Sequence, residues 1–193
     1  NVLINPTNVQ ASQFALVGTG NANFSKFTPK VGVDFRPNDD TMLYASWSRG
    51  YRSGGFSPRA ATAATASTPF GPETVDSYEV GGKFSLADGK VLLNLAAYYS
   101  DYKDMQQNLT VPGGPTGNQT ITGNVAGGAA IKGIEFDATF RPVDNLRLTA
   151  ASAYMKSNFR NFVANGVLPG GGIGPFDYSA NRLIYAPKFT ASF

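Results

Sequence analysis

The chain has 193 residues, 42% hydrophobic and only 15% charged, with 14 Phe, 9 Tyr and 1 Trp; so aromatic and so weakly charged a composition excludes a disordered chain. Cys and His are both absent, which excludes a disulfide scaffold, a thiolate or imidazole metal site and a His-based catalytic triad. A net charge of +3, from 16 Lys+Arg against 13 Asp+Glu scattered along the chain, gives no basic stripe for nucleic acid.

The opening Asn1-Val2-Leu3-Ile4-Asn5-Pro6 lacks the basic and apolar regions of a signal peptide. No stretch approaches the ~18 consecutive apolar residues of a membrane helix, which leaves open only strands as a way across a bilayer. From residue 30 the dominant pattern is period two. Val31, Val33 and Phe35 alternate with Lys30, Asp34 and Arg36; Leu43, Ala45 and Trp47 follow more loosely. Tyr78, Val80, Phe84 and Leu86 oppose Ser77, Glu79, Lys83 and Ser85, and Val91, Leu93, Leu95, Ala97 and Tyr99 continue the pattern. Ile134, Phe136, Ala138 and Phe140 oppose Glu135, Asp137, Thr139 and Arg141; Leu148, Ala150, Ser152 and Tyr154 oppose Arg147, Thr149 and Ala151. Alternation over eight to twelve residues predicts strands with one apolar face, and every mid-strand charge falls on the other parity.

The connections alternate in length. Short turns are predicted at residues 37–40, 87–90 and 142–145, and long Gly/Pro/Ala/Thr/Asn-rich loops at 50–74, 108–128 and 159–183. Phe35-Arg36-Pro37-Asn38-Asp39 and Phe140-Arg141-Pro142-Val143-Asp144 are near-repeats of one turn. A kelch-type propeller would need four short strands per unit rather than two long ones. Long strands, short turns at one end and long loops at the other describe an outer-membrane barrel, with an all-β soluble sandwich as the alternative. Phe35, Tyr44, Phe84 and Phe140 fall near the short turns, and Trp47, Tyr51, Tyr99, Tyr102 and Tyr154 toward the long loops, as aromatic girdles would.

Three motifs invite other readings. Glu135 and Asp137 form an i, i+2 carboxylate pair, but no partner base accompanies them and no catalytic role is assigned. Gly170-Gly171-Gly172-Ile173-Gly174 lacks the Lys-Ser/Thr of a phosphate loop. Asn108-Leu109-Thr110 and Asn118-Gln119-Thr120 match glycosylation sequons without consequence in a bacterial barrel, and residues 62–68 read as a mobile loop tip.

The residues themselves carry a resemblance. Leu43-Tyr44-Ala45-Ser46-Trp47-Ser48-Arg49-Gly50-Tyr51-Arg52 resembles the segment of TonB-dependent outer-membrane receptors that rises into an extracellular loop. Pro72-Glu73-Thr74-Val75-Asp76-Ser77-Tyr78-Glu79-Val80-Gly81-Gly82-Lys83 is similar to the returning strand, and residues 94–106 to the next rising one. Asn124-Val125-Ala126-Gly127 followed by Lys132-Gly133-Ile134-Glu135-Phe136, and then Tyr185-Ala186-Pro187, resemble two further descents. The resemblance runs from Phe27 to Phe193 and implies an all-β, antiparallel transmembrane β-barrel of 22 strands, with short periplasmic turns and long extracellular loops. About seven strands are expected over residues 27–193, with residues 1–26 an extracellular loop or strand end. The chain is read as an internal piece of the barrel, with plug and closing strands absent.

The resemblance further implies energy-coupled import of a ferric siderophore or similar large chelate across the bacterial outer membrane. It implies a periplasmic energy-transducing partner acting through the plug, and outer-membrane lipid around the wall; no enzyme activity, cofactor or nucleic acid is expected. A passive porin or scaffold barrel, and a soluble all-β binding module, stand as alternatives. Lys30, Asp34, Arg36, Glu79, Lys83, Glu135, Asp137, Arg141 and Arg147 would line the lumen, either gripping a plug or cargo or pairing with one another across strands. Arg49, Tyr51 and Arg52 place cationic and aromatic groups at a loop base and are candidate ligand contacts. Arg49, Lys103 and Lys156 fall on the lipid-facing parity roughly 8–12 residues above their turns, near the top of a ~25 Å apolar band. They are read as a ring facing lipopolysaccharide phosphates, unless the alternation has already ended there.

Overall fold

A computed structural model describes residues 19–113, 117–167 and 172–193. Most of the segment 1–26, and two glycines of the run at 170–174, lie outside the described residues.

The strands are β1 (Lys30–Asn38), β2 (Thr41–Arg52), β3 (Gly55–Phe56), β4 (Pro69–Phe70), β5 (Glu73–Leu86), β6 (Val91–Lys103), β7 (Met105–Pro112), β8 (Asn118–Val125), β9 (Ala129–Val143), β10 (Leu146–Phe159), β11 (Val163–Val167), β12 (Ile173–Asp177) and β13 (Phe189–Ser192). One short helix, α1 (Ala63–Ser67), lies between β3 and β4. Seven strands form a single antiparallel sheet in the order β1-β2-β5-β6-β9-β10-β13. The remaining strands make three small hairpins, β3–β4, β7–β8 and β11–β12, all at the loop end. The seven expected strands are therefore present, but the loops are not irregular. Their strands are too polar and too Gly/Thr-rich to show a period.

Register carries one apolar face across the whole wall. Val31 is opposite Trp47, Val33 opposite Ala45 and Phe35 opposite Leu43; Ala45 meets Val80, Val80 meets Ala97, and Ala97 meets Ile134. These side chains point away from protein: Val33 is 66% exposed and Ile134 60%. In water such a face would be an association surface, and its breadth is what a lipid-facing wall requires. The hydrophobic core proper is small and lies at the loop end, where Met105, Val125, Ala129 and Phe159 are buried against Tyr102, Phe162 and Leu183.

The turn end is built by local chemistry. In the 87–90 turn, Ala87, Asp88 and Gly89 all take positive φ (53°, 55° and 81°), and the Lys90 N–H donates to Ala87 O at 3.1 Å. The two Phe-Arg-Pro repeats make the same irregularity. Phe35 pairs with Leu43 but Asn38 with Thr41, and Phe140 pairs with Leu148 but Val143 with Leu146, so each descending strand holds one extra residue. Pro37 and Pro142 have no N–H to give the ladder, and a β-bulge takes up the missing bond.

Two tyrosines key neighbouring strands together on the face opposite the apolar one. Tyr44 is opposite Gly81 and Tyr98 opposite Gly133. A Cβ at Gly81 would stand 2.5 Å from the Tyr44 hydroxyl oxygen, and one at Gly133 would stand 2.6 Å from that of Tyr98. The rings thus lie in space that only glycine leaves open.

Candidate functional site

The register places Lys30, Asp34, Glu79, Lys83, Glu135 and Asp137 on one face, the one opposite the apolar side chains; Arg36 reaches Met42 Sδ on that face at 3.2 Å, and Arg141 and Arg147 follow by alternation from Phe140 and Leu148. Glu79 stands between Ser46 and Tyr98, Lys83 between Met42 and Asn94, Glu135 between Ala96 and Ala153, and Asp137 between Asn94 and Ala151. Their cross-strand neighbours are neutral, and the three ion pairs among the described residues all lie elsewhere. The expected pairing of these charges with one another is therefore not what the sheet does. The Tyr44 hydroxyl donates to Glu79 Oε1 at 2.7 Å, and Asn94 Nδ2 donates to Asp137 Oδ1 at 2.6 Å. Neutral donors orient these carboxylates without neutralising them, so the wall keeps its charge for whatever it faces. Tyr44, Asn94 and Tyr98 belong to this wall by parity alone, a signal the charge pattern hides.

At the loop end of the apolar face, charge returns in a tight cluster. Arg49 is bidentate on Asp76, Nε to Oδ1 at 2.8 Å and Nη2 to Oδ2 at 2.9 Å, with the guanidinium 5.7 Å from the Trp47 ring centre. Trp47 Nε1 donates to the same carboxylate at 3.3 Å and Lys103 Nζ lies 3.8 Å from it. Arg160 pairs with Asp101 on the adjoining strand. Arg49 and Lys103 are thus brought together on one carboxylate, whereas Lys156 stands four strands away from Arg49's, directly opposite Lys132. Among the candidate ligand contacts, Arg49 is already engaged and the Tyr51 hydroxyl is buried without a hydrogen-bond partner. Arg52 is exposed at the end of β2, opposite Glu73.

Above the wall the loops form one docked body. Gln106, at the start of β7, donates through Nε2 to Ser53 O (2.9 Å) and Gly71 O (3.1 Å), while its backbone N–H donates to Glu73 Oε2 (2.7 Å). Asn124 on β8 grips Gly71 from both sides, accepting from its N–H at 2.7 Å and donating to its carbonyl at 3.0 Å. Gln119 Oε1 accepts from Ala61 N and Thr65 Oγ1, at 2.7 and 3.0 Å. Thr65 belongs to α1, so residues 62–68 are not a free tip. Thr62 caps this helix through a reciprocal capping box with Thr65. The third hairpin joins through Phe162, whose ring packs against Phe159 and Tyr178. These amide side chains lie 35 to 58 residues from the partners bound here, and nothing local in the sequence marks them.

The family model for TonB dependent receptor-like β-barrels matches residues 4–193. The Pesticin receptor of Yersinia enterocolitica is 27% identical over 172 residues, covering 89% of this chain and 22% of the relative. The Metal-pseudopaline receptor of Pseudomonas aeruginosa is 31% identical over 129 residues, covering 66% of this chain and 16% of the relative. The chain therefore spans about a fifth of the length of the curated relatives it matches. Among solved structures, the ferric yersiniabactin uptake receptor of Yersinia pestis superposes with a TM-score of 0.62 at 23% identity, over 84% of this chain and 21% of that one. The iron transporter FrpB of Neisseria meningitidis gives 0.53 at 18% identity, over 85% of this chain and 30% of that one. Both structural likenesses concern the fold.

Proposed function

Because the chain belongs to the TonB-dependent receptor family, as a stretch of its outer-membrane β-barrel, we propose that it forms part of an energy-coupled importer for a ferric siderophore or similar metal chelate. The observation that carries this reading is the two-faced wall. One side is continuously apolar, and the other holds charged residues of which Lys30, Asp34, Glu79, Lys83, Glu135 and Asp137 all have neutral strand neighbours. A passive pore hydrates such an interior with water alone; a gated importer sets it against a plug and a polar cargo. The reading includes outer-membrane lipid around the apolar face and a periplasmic energy-transducing protein working through a plug. It assigns no catalytic chemistry, in keeping with a family of transport receptors rather than enzymes.

Cargo capture is assigned to the loop base formed by Arg49, Tyr51 and Arg52. Arg49, locked to Asp76, fixes the end of β2, and the exposed Arg52 is the cation free to meet an anionic chelate. The Yersinia and Pseudomonas relatives suggest the probes. Radiolabelled ferric yersiniabactin and metal–pseudopaline should accumulate in cells carrying the full-length receptor, and accumulation should cease when the energy-transducing protein is deleted. Continued entry after that deletion would make the barrel a passive pore. Replacing Tyr51 and Arg52 by Ala should weaken chelate binding about tenfold, roughly 1.4 kcal/mol, without reducing the amount of receptor in the outer membrane. Unchanged affinity would remove this segment from the capture site.

A further inference from the structure

A second basic cluster stands on the apolar face, and Asp76 does not reach it. Lys132 on β9 and Lys156 on β10 are direct cross-strand partners. Like charges in that position repel one another, and an isolated sheet would not favour them. Lys188, just before β13, accepts the Met155 N–H through its carbonyl, next to Lys156 in the chain, and its Nζ reaches to 5.6 Å from the ring centre of Tyr154, which lies on the apolar face. All three lysines are exposed, and none has a carboxylate within ion-pair distance among the described residues. Asp101, the acid diagonal to Lys132 across the ladder, is held by Arg160.

The height of the cluster defines what it meets. Lys132 lies eight residues above Phe140 and Lys156 eight above Leu148, on strands whose outward side chains between are apolar except for Ser152. At ~3.3 Å per residue and a ~40° tilt, that is roughly 20 Å, close to the upper edge of a ~25 Å lipid-facing band. Tyr99 and Tyr154 flank the lysines at this level, as interfacial aromatics do. Directly beneath, the apolar face sinks into an open hollow of about 720 Å³, walled by Val80, Leu95, Ile134, Phe136, Tyr154 and Phe189. A compact trio of cations above an apolar hollow fits a molecule with phosphate at one end and hydrocarbon at the other.

We propose that Lys132, Lys156 and Lys188 form a seat for the phosphorylated headgroup of an outer-leaflet glycolipid, whose acyl chains occupy the hollow below. The seat rests on the outer-membrane reading above. It revises the expected lipid ring: Lys156 remains in it, and Lys132 and Lys188 take the places of Arg49 and Lys103, which Asp76 already engages.

The test uses the full-length receptor purified in detergent. Added diphosphorylated lipid A should raise its melting temperature by several degrees. The K132Q/K156Q/K188Q variant should lose most of that gain, whereas R49Q should keep it. Dephosphorylated lipid A and inorganic phosphate should each give little. Equal stabilisation of wild type and triple variant by lipid A overturns the proposal, and so does full stabilisation by inorganic phosphate. Membrane fractionation separates the two readings. Receptor found in the outer membrane but insensitive to the substitutions defeats the seat alone, whereas receptor absent from that membrane defeats both.

Discussion

Replacing Gln106 by Ala is the most direct way to ask whether the loops act as one body. The side chain is 7% exposed and both its amide hydrogens are used, one on Ser53 O and one on Gly71 O. Its removal affects the two carbonyls differently. Gly71 O keeps its bond from Asn124 Nδ2, so only the ordinary net value of one bond is lost there, about 1 kcal/mol. Ser53 O loses the bond from Gln106 and bears a desolvation penalty of about 1–2 kcal/mol if no water replaces it. Together these lower the free energy of loop undocking by roughly 2–3 kcal/mol, which accelerates exchange of amides protected by docking about 30- to 150-fold. The Gly71 N–H, held by Asn124 Oδ1 at 2.7 Å, is the reporter, because its own bond is untouched by the substitution. Hydrogen exchange measured on peptides spanning residues 69–73, in the full-length receptor, reads this directly. Q106E serves as control: a carboxylate cannot donate to either carbonyl, so it should undock the loops at least as strongly as Ala. Exchange at Gly71 within threefold of wild type in both variants would show that the amide network does not hold the loops together.

Three further outcomes follow from the geometry. The 193-residue chain alone leaves β1 and β13 as unpaired edges beside a broad apolar face, so it should be polydisperse in plain buffer and need detergent; a sharp monomer peak with cooperative melting would contradict a lipid-facing wall. Gly81→Val should displace the Tyr44 ring, break its bond to Glu79 and crowd Leu95 O, 2.6 Å from the added Cβ, impairing barrel assembly; Tyr44→Ala should cost less in the Gly81→Val background than in wild type, and equal costs would refute the keyed fit. The Asp177 carboxyl is held below the ordinary range by the Ser179 hydroxyl and then by the Ser179 N–H at 2.8 Å. A lowered folded-state value means that its contribution to the β11–β12 hairpin is complete above the usual carboxylate pKa of ~3.9 and fades as the pH falls through the lower folded value. Carboxyl-carbon NMR should therefore show a midpoint below ~3.9 that Ser179→Ala raises; a midpoint unmoved by that substitution would remove the hydroxyl as the cause.

What the sequence revealed tracks the range of the forces involved. A strand facing lipid on one side must alternate, so Val31, Val33 and Phe35 disclose β1, and the parity of Ile134, Phe136 and Phe140 discloses β9, without knowledge of any partner. Turn residues act within a few positions and were equally legible. The loops were not, because Gln106, Asn124 and Gln119 stabilise them by bonding to backbone brought close only by the finished sheet. Arg49 illustrates an intermediate case. Its parity was readable, but its commitment to Asp76 depends on the register of β2 against β5. That register also explains why the inner-wall charges stay uncompensated: Glu79 meets Ser46 and Tyr98, and Asp137 meets Asn94 and Ala151, rather than the lysines and arginines that alternate with them along the chain.

The paired bulges at Arg36-Pro37 and Arg141-Pro142 shift the phase of everything below them. Counting by twos from Phe140 puts Pro142 outward and Val143 inward, yet the extra residue leaves Val143 opposite Leu146 and 61% exposed on the apolar face. Asn38 is moved outward in the same way opposite Thr41. A cysteine-labelling scan down either strand would show inside and outside exchanging parity at the bulge. A scan decoded with a fixed odd–even rule would assign the last residues before each turn to the wrong compartment.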